Sequence, residues 1–252
     1  MDTPIRISRQ AGAVHITLAR AEKRNALTVA MYAAMADAMA DAERDAGVSA
    51  IVFSGEGGAF CAGNDLADFL ASPPTEGERP VARFIRALAD ATKVLIAVVQ
   101  GPAVGIGTTM LLHCDFVLAE PDAVLQMPFV DLALVPEAGS SLLLPILMGQ
   151  RRAAELLLLG DRIGAERAVE LGLINRIVPA GQGLAEAAAL AARLAEKPAG
   201  ALLATKRLMK SAERDLHGRI AEENTAFFAQ LQTAELRATI EKFFTSRAKV
   251  IA

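Results

Sequence analysis

The sequence predicts an α/β domain in which strands and helices alternate over the first half and helices take over toward the C-terminus. Three observations carry this. Short apolar runs separated by helical stretches recur as far as Leu134, a rhythm that requires crossover connections and a stacked or wound sheet. One run, Val94–Val99, is apolar without interruption, as in a strand buried on both faces. From Gly139 onward the apolar residues recur mostly at helical spacing.

The elements follow in order. Ile5–Ser8 reads as a strand that meets a second across Gly12, in which Val14, Ile16 and Leu18 alternate with His15 and Thr17. Leu27-Thr28 opens a helix with Thr28 as N-cap. Met31, Met35, Met39 and Ala42 share one face of it and read as a core stripe, and Gly47 ends it. Ala50–Phe53 is a short strand, Pro73–Gly77 a loop and Pro80–Thr92 a helix. Gly101-Pro102 stops the Val94–Val99 strand, and Pro121 stops another at Phe116–Ala119. Helices are expected over Arg151–Gly160, Ala165–Gly172 and Ala185–Glu196, interrupted by a short strand at Ile174–Val178. After the Lys197-Pro198 break, Phe227, Phe228 and Leu231, then Ile240, Phe243 and Phe244, recur at helical spacing. So apolar a tail must pack on its own core or on a neighbouring subunit. The expected division is a core over residues 1–195 and a C-terminal helical region over 196–252, with no internal repeat.

Composition narrows the function classes. The chain has 252 residues, 53% of them apolar, much of that alanine, and can bury a sizeable core. With 26 basic against 29 acidic residues, its net charge of -3 argues against general nucleic-acid affinity. A 4% aromatic content without Trp offers no base-stacking platform. Lys23-Arg24, and Lys206-Arg207 with Lys210, are each either a local patch for a phosphorylated ligand or a solvated surface. Cys61 and Cys114 form no Cys-x-x-Cys spacing, so neither a disulfide scaffold nor a metal site is expected. No apolar leader follows Met1 and no apolar run is long enough to span a bilayer, so a soluble cytoplasmic protein is expected.

Several familiar sites are unsupported. Gly105-Ile106-Gly107 follows a buried strand, but Met110 stands where a dinucleotide fingerprint needs its third glycine. Gly55–Gly58 lacks the Gly-Lys-Ser/Thr of a P-loop. His15, His113 and His217 are dispersed and define no triad. His113 reads as a satisfied interior histidine, and Cys61 as a small buried residue rather than a nucleophile. What remains is a pair of glycine turns, Gly63-Asn64-Asp65-Leu66 and Gly105-Ile106-Gly107-Thr108, each after an apolar strand and before a helix. Such turns present backbone N–H groups where the helix dipole is positive, and two converging donors make an oxyanion hole.

Phe60-Cys61-Ala62-Gly63-Asn64-Asp65-Leu66, Gln100–Thr109 and His113-Cys114-Asp115 closely resemble signature segments of the crotonase (enoyl-CoA hydratase/isomerase) superfamily. Lys23–Leu27, Glu166-Arg167-Ala168 and Gly172–Asn175 extend the resemblance over nearly the whole chain. It implies a spiral of stacked ββα units and a helical C-terminal trimerisation region, assembled as a homotrimer or as a hexamer built from two trimers. It also implies an acyl-CoA thioester substrate, the coenzyme A being part of that substrate, with no separate cofactor, metal, nucleic acid or membrane partner. By the same resemblance the oxyanion donors are the backbone amides of Asn64 and Ile106. Lys23, Arg24, Ala26, Ala62, Gly63, Asp65, Leu66 and Gly105 resemble ligand-contacting positions, and Lys206 is the expected basic contact from the C-terminal region. Ser72–Pro80 is expected to border the acyl pocket.

Fold does not settle reaction, so carboxylates decide. Hydratases of the family use two glutamates, which fall here at Thr109 and Phe129; neither is acidic, and Phe129 would make that wall dry. Leu134–Ser141 resembles instead the segment that carries the single catalytic glutamate of Δ3,Δ2-enoyl-CoA isomerases, and places Glu137 in that role. Asp131 is a second nearby acid. Expected alternatives are hydration or another crotonase-type reaction, and acyl-CoA binding without catalysis.

Overall fold

The computed structural model describes residues 4–71, 79–210 and 216–251. The expected loop Pro73–Gly77, and with it most of the Ser72–Pro80 stretch, lies outside these residues.

Nine strands are described: β1 (Ile5–Gln10), β2 (Ala13–Leu18), β3 (Ala50–Gly55), β4 (Val94–Val99), β5 (Pro102–Val104), β6 (Phe116–Ala119), β7 (Val124–Gln126), β8 (Ile163–Gly164) and β9 (Arg176–Ile177). Six make one sheet in the order β1-β2-β3-β4-β6-β9, and β5-β7-β8 make a smaller one. β1 and β2 form an antiparallel hairpin whose turn, Ala11-Gly12, has positive φ at both residues, the backbone twist that a tight hairpin needs. Every later pairing in the large sheet is parallel.

The central parallel strands β3 and β4 are buried on both faces. On one face the helices Val29–Arg44 and Pro80–Asp90 cover Ile51, Phe53, Leu95 and Ala97. Tyr32 and Phe53 meet Phe84 there, with ring centroids 5.7 and 6.2 Å away. Burying a side chain such as Phe84 contributes about 1.5–3 kcal/mol. On the other face Ala187, Ala191 and Leu194 of the helix Gly183–Ala195 pack on Val52, Val94, Ile96 and Val98. The alanines let helix and sheet approach closely.

Beyond Pro198 the helix Ala199–Lys210 docks through two lysines. Lys206 Nζ donates to Asp115 Oδ2 at 2.6 Å and to the Lys93 carbonyl. Lys210 Nζ donates to the carbonyls of Leu88 and Ala89 at 3.1 and 3.3 Å, where the Pro80–Asp90 helix ends and its dipole favours a cation. In the tail, Ile220, Glu223 and Phe227 lie on the inner side of the helix Leu216–Leu231, and Leu236 and Ile240 are buried from the helix Ala234–Ile251. The tail therefore covers its own core. The side chains of Phe243 and Phe244 lie outside the described set.

The differences from expectation are local. The first helix ends at Arg44 rather than at Gly47, because Asp45 turns extended and its carboxylate accepts from the Gly47 N–H at 2.8 Å. Arg151–Gly160 is not one α-helix: Gln150–Ala154 passes into a π-helical turn over Glu155–Leu159. Pro102 does not simply end a strand but starts β5, which leaves for the small sheet. Strands of two or three residues carry no readable alternation. Among the described residues no helix is long and apolar enough to cross a membrane.

Candidate active site

Three chain segments are laminated beside the sheet. The Cys61–Asp65 segment lies between Arg24–Leu27 and Pro102–Gly105, through parallel bridges Leu27↔Asn64 and Cys61↔Ala103. Asn25 anchors the first of these segments. It is fully buried with left-handed backbone (φ +58), and its amide nitrogen donates to the carbonyls of Glu56 and Ala59 at 2.9 and 2.7 Å. Cys61 N–H donates to the Pro102 carbonyl, and Val104 N–H to the Cys61 carbonyl, at 3.0 and 2.8 Å. On the other side the Ala62 amide donates to Arg24, Leu27 donates to Gly63, and Asp65 donates to Leu27, at 2.8–2.9 Å.

This lamination frees two amides. Gly63 and Asp65 both bond toward Leu27, so Asn64 between them turns its own N–H away from Leu27. Ile106 is the first residue of the short helix Ile106–Thr109, where a backbone N–H has no intrahelical acceptor. Neither amide donates to an acceptor among the described residues. The two turns touch: a Cβ on Gly107 would lie 2.6 Å from the Cys61 carbonyl oxygen, and one on Gly105 would lie 3.9 Å from Gly63 Cα. Only a glycine at 107 permits that approach.

Glu137 enters the same region. It is 4% exposed, and its Oε1 has no hydrogen-bond partner among the described residues. Burial, and secondarily the charge of Glu223, push its carboxyl up to about 8, against the opposing hydrogen bond of the Asn64 side chain. The Asn64 amide is itself oriented, because Tyr32 Oη donates to Asn64 Oδ1 at 2.5 Å. Cys61 also senses Glu137 and is pushed up to about 12, mainly by burial; it remains a neutral, buried thiol. At the two positions where hydratase glutamates are expected, Thr109 is fully buried and Phe129 nearly so.

The other expected residues sort by what they touch. Lys23 and Arg24 are exposed, with no ion-pair partner among the described residues. Ala26 lies beside them, its carbonyl accepting from Arg20 at 2.9 Å. Ala62 and Leu66 are half-buried. Two assignments need correction. Lys206 is not a surface phosphate contact: it is 4% exposed and its ammonium is committed to Asp115 and Lys93, because it closes the C-terminal helix onto the core. Asp65 is not free for a ligand either. One carboxylate oxygen holds Arg20 at 2.7 Å and the other accepts from Ala67 N–H at 3.0 Å, capping the helix Leu66–Ala71. Asp131 is exposed beside Gly160, whereas Glu137 is buried. His113 is the satisfied interior histidine expected, its Nε2 bonded to the Ala138 carbonyl at 2.8 Å; burial holds it neutral, near 4.

Sequence reasoning missed Tyr32 and Glu223. The signals were present: Tyr32 is the sole tyrosine and lies beside the buried methionine stripe, and a buried phenol requires a partner. Glu223 falls in helical phase with Ile220 and Phe227, a carboxylate on an apolar stripe.

A family profile described as "Enoyl-CoA hydratase/isomerase" matches residues 8–250. "Enoyl-CoA delta isomerase 2" of Rattus norvegicus is 33% identical over 98% of this chain, which spans 64% of that protein's length. A "Probable enoyl-CoA hydratase" of Rhodobacter capsulatus is 32% identical over 96% of this chain and 95% of its own length. Among solved structures, Pseudomonas aeruginosa OdaA superposes with a TM-score of 0.93 at 42% identity, covering 96% of this chain and 99% of its own. Fold, laminated amides and these matches together make the chain a member of the enoyl-CoA hydratase/isomerase (crotonase) superfamily, with that family's fold. Within the superfamily it stands near the isomerase branch, and it is an enzyme of the hydratase/isomerase type.

Proposed function

We propose that the chain is a Δ3,Δ2-enoyl-CoA isomerase with Glu137 as its single acid–base group. The observation that carries this reading is one buried carboxyl, pushed up to about 8, with a free oxygen and an oriented amide beside it. No second carboxylate stands at Thr109 or Phe129 to hold and activate water.

A 3-enoyl-CoA binds with its thioester oxygen between the N–H groups of Asn64 and Ile106, and Lys23 and Arg24 face its phosphates. Glu137 takes a proton from C2. The electron pair delocalises onto the thioester oxygen as a dienolate, whose growing charge strengthens both amide hydrogen bonds. Each such donor is worth about 2.7–4 kcal/mol of barrier. The protonated Glu137 then returns the proton to C4, giving the conjugated trans-2-enoyl-CoA. Nothing is added or lost, so one group serves both steps. A carboxyl poised near the working pH suits both, because it neither holds nor releases the proton too strongly. The step as drawn requires no redox group.

Glu137→Gln tests the reading on 3-hexenoyl-CoA, with formation of the 2-enoyl product followed in the ultraviolet. Loss of turnover on the order of 10²-fold or more supports it, and near-unchanged turnover removes it. Efficient hydration of crotonyl-CoA by the wild-type protein would favour a hydratase instead. The same reading includes a homotrimer or hexamer. It is supported by the exposed Val130, Leu158 and Leu159, each at least 50% accessible, and light scattering tests it.

A further inference from the structure

The turn that carries Glu137 is held from outside the site. Ala138 and Gly139, next in the chain, both have left-handed backbone, with φ of +59° and +70°. A non-glycine residue keeps that conformation only where its surroundings impose it. Three restraints do so. His113 Nε2 bonds the Ala138 carbonyl at 2.8 Å. Ser140 Oγ donates to the Glu137 carbonyl at 2.7 Å. Glu223, 84 residues further on from Gly139, accepts from the Gly139 N–H at 2.5 Å and from the Ser141 N–H at 2.9 Å, using both carboxylate oxygens.

Glu223 is an unusual group to find there. It is 6% exposed and has no ion-pair partner among the described residues. A buried carboxylate without a cation is expensive. Its compensation is the pair of amides at the start of the helix Ser140–Met148, whose positive end favours an anion. The cap could have been supplied locally by a residue at Gly139, the N-cap position, as is usual. Instead it is supplied by the C-terminal helix Leu216–Leu231.

We infer that Glu223 is a positioning residue for the Glu137 base: from the C-terminal helix, its carboxylate locks the Ala138–Gly139 turn and fixes the adjoining carboxyl. It acts through Glu137 and touches no substrate. Its charge reaches the base as well, and after burial it is the larger contributor to the raised Glu137 pKa. The remaining titratable groups facing Glu137 are Tyr32 and Cys61, both shifted further toward their neutral forms by burial. His113, bonded to the turn at Ala138, is neutral, and the charges of Lys210 and Lys206 also hold it so. Among these described groups Glu223 alone brings a formal negative charge to the base.

The kinetic arm of the test rests on the isomerase reading; the spectroscopic arm does not. Glu223→Gln keeps the shape, loses the charge and leaves one of the two amides without an acceptor. The Glu137 carboxyl would be titrated by 13C NMR in both proteins, assigned with Glu137→Gln, and kcat and KM measured across pH on 3-hexenoyl-CoA. With the neighbouring charge gone, the ionised base is less disfavoured, so the Glu137 midpoint is expected to move down from about 8. kcat is expected to fall on the order of tenfold to a hundredfold with KM little changed, as for a misplaced catalytic group. An unmoved midpoint overturns the inference, whatever happens to kcat. So does a moved midpoint with wild-type kcat. If the wild-type protein does not isomerise 3-enoyl-CoA, the isomerase reading fails and the NMR midpoint alone decides the role of Glu223. If Glu223→Gln does not fold, Glu223→Asp replaces it. That variant keeps the charge but shortens the reach, and a wild-type kcat in it overturns the inference.

Discussion

Asn64 meets the Glu137 carboxyl through its side-chain amide while its own backbone N–H points away from Leu27, on the side of the Pro102–Gly105 segment. One residue thus adjoins both halves of the proposed chemistry, the base and the oxyanion site. Asn64→Ala would separate them, because it leaves the backbone donor and removes the side-chain one. A hydrogen bond to a charged group is worth about 1.5–3 kcal/mol, so kcat should fall roughly tenfold to a hundredfold. The lost bond favoured the carboxylate, so the inflection of kcat with pH should move above its wild-type position. A fall in kcat with the inflection unmoved would contradict the contact.

Tyr32→Phe removes the donor that orients Asn64. The Asn64 carbonyl oxygen then lacks its recorded partner, and an unsatisfied polar atom costs about 1–3 kcal/mol. Denaturant unfolding should show that loss. kcat should fall less than in Asn64→Ala, because the amide is still present but free to rotate.

Glu137 makes the fold pH-sensitive in a definite direction. Its carboxyl titrates at about 8 when folded, against an ordinary 4.5. Between these values the folded state holds the proton that the unfolded state releases, so stability falls as pH rises through that window. Glu137→Gln should therefore be more stable than the wild type at pH near 8, by on the order of a few kcal/mol, and close to equal below the ordinary carboxyl range. Unfolding free energies at acid and mildly alkaline pH decide it. Equal differences at both would exclude a strongly raised carboxyl.

Gly107→Ala places a methyl group 2.6 Å from the Cys61 carbonyl oxygen. Backbone on both sides leaves no flexible end to yield. Overpacking of this kind costs typically about 1–3 kcal/mol. The two glycine turns should be forced apart, so kcat should drop further than the stability loss alone explains. A variant with both quantities at wild-type levels would show that the turns are not held so closely.

Lys206→Met tests the reassignment of that lysine. Removing one partner of a buried pair leaves Asp115 without its cation, which typically costs about 3–5 kcal/mol. The folded fraction should keep the wild-type KM for a CoA thioester. A raised KM with unchanged stability would restore Lys206 as a ligand contact.

Much of this was legible before any coordinates. The strands Val94–Val99 and Phe116–Ala119 fall where their apolar runs do, because burial of all but Phe116 leaves no polar residue to blur their ends. Thr28 caps its helix as its side chain suggests, accepting from the Met31 N–H at 3.3 Å. The small sheet was not legible, since its strands of two or three residues are made by partners rather than by pattern. Lys206 misled because a lysine in a helical segment looks the same in sequence whether it faces water or a buried aspartate. Tyr32 and Glu223 act through contacts of long sequence separation, 32 residues from Tyr32 to Asn64 and 84 from Gly139 to Glu223. No local motif records such distances.

The order of the large sheet bears on how the molecule is made. β3, β4 and β6 pair in turn with β2, β3 and β4, and each pairing is parallel. A chain leaving the ribosome can therefore lay each of these strands on one already in place, with little waiting for distant partners. The large sheet as far as Ala119 needs no later strand to complete these pairings, and the amides of Asn64 and Ile106 belong to that portion of the chain. The turn at Ala138–Gly139 is different, because its cap at Glu223 emerges 84 residues after Gly139. A nascent chain can thus shelter its sheet before the turn beside Glu137 is locked, so the geometry of that turn follows the sheet rather than leading it.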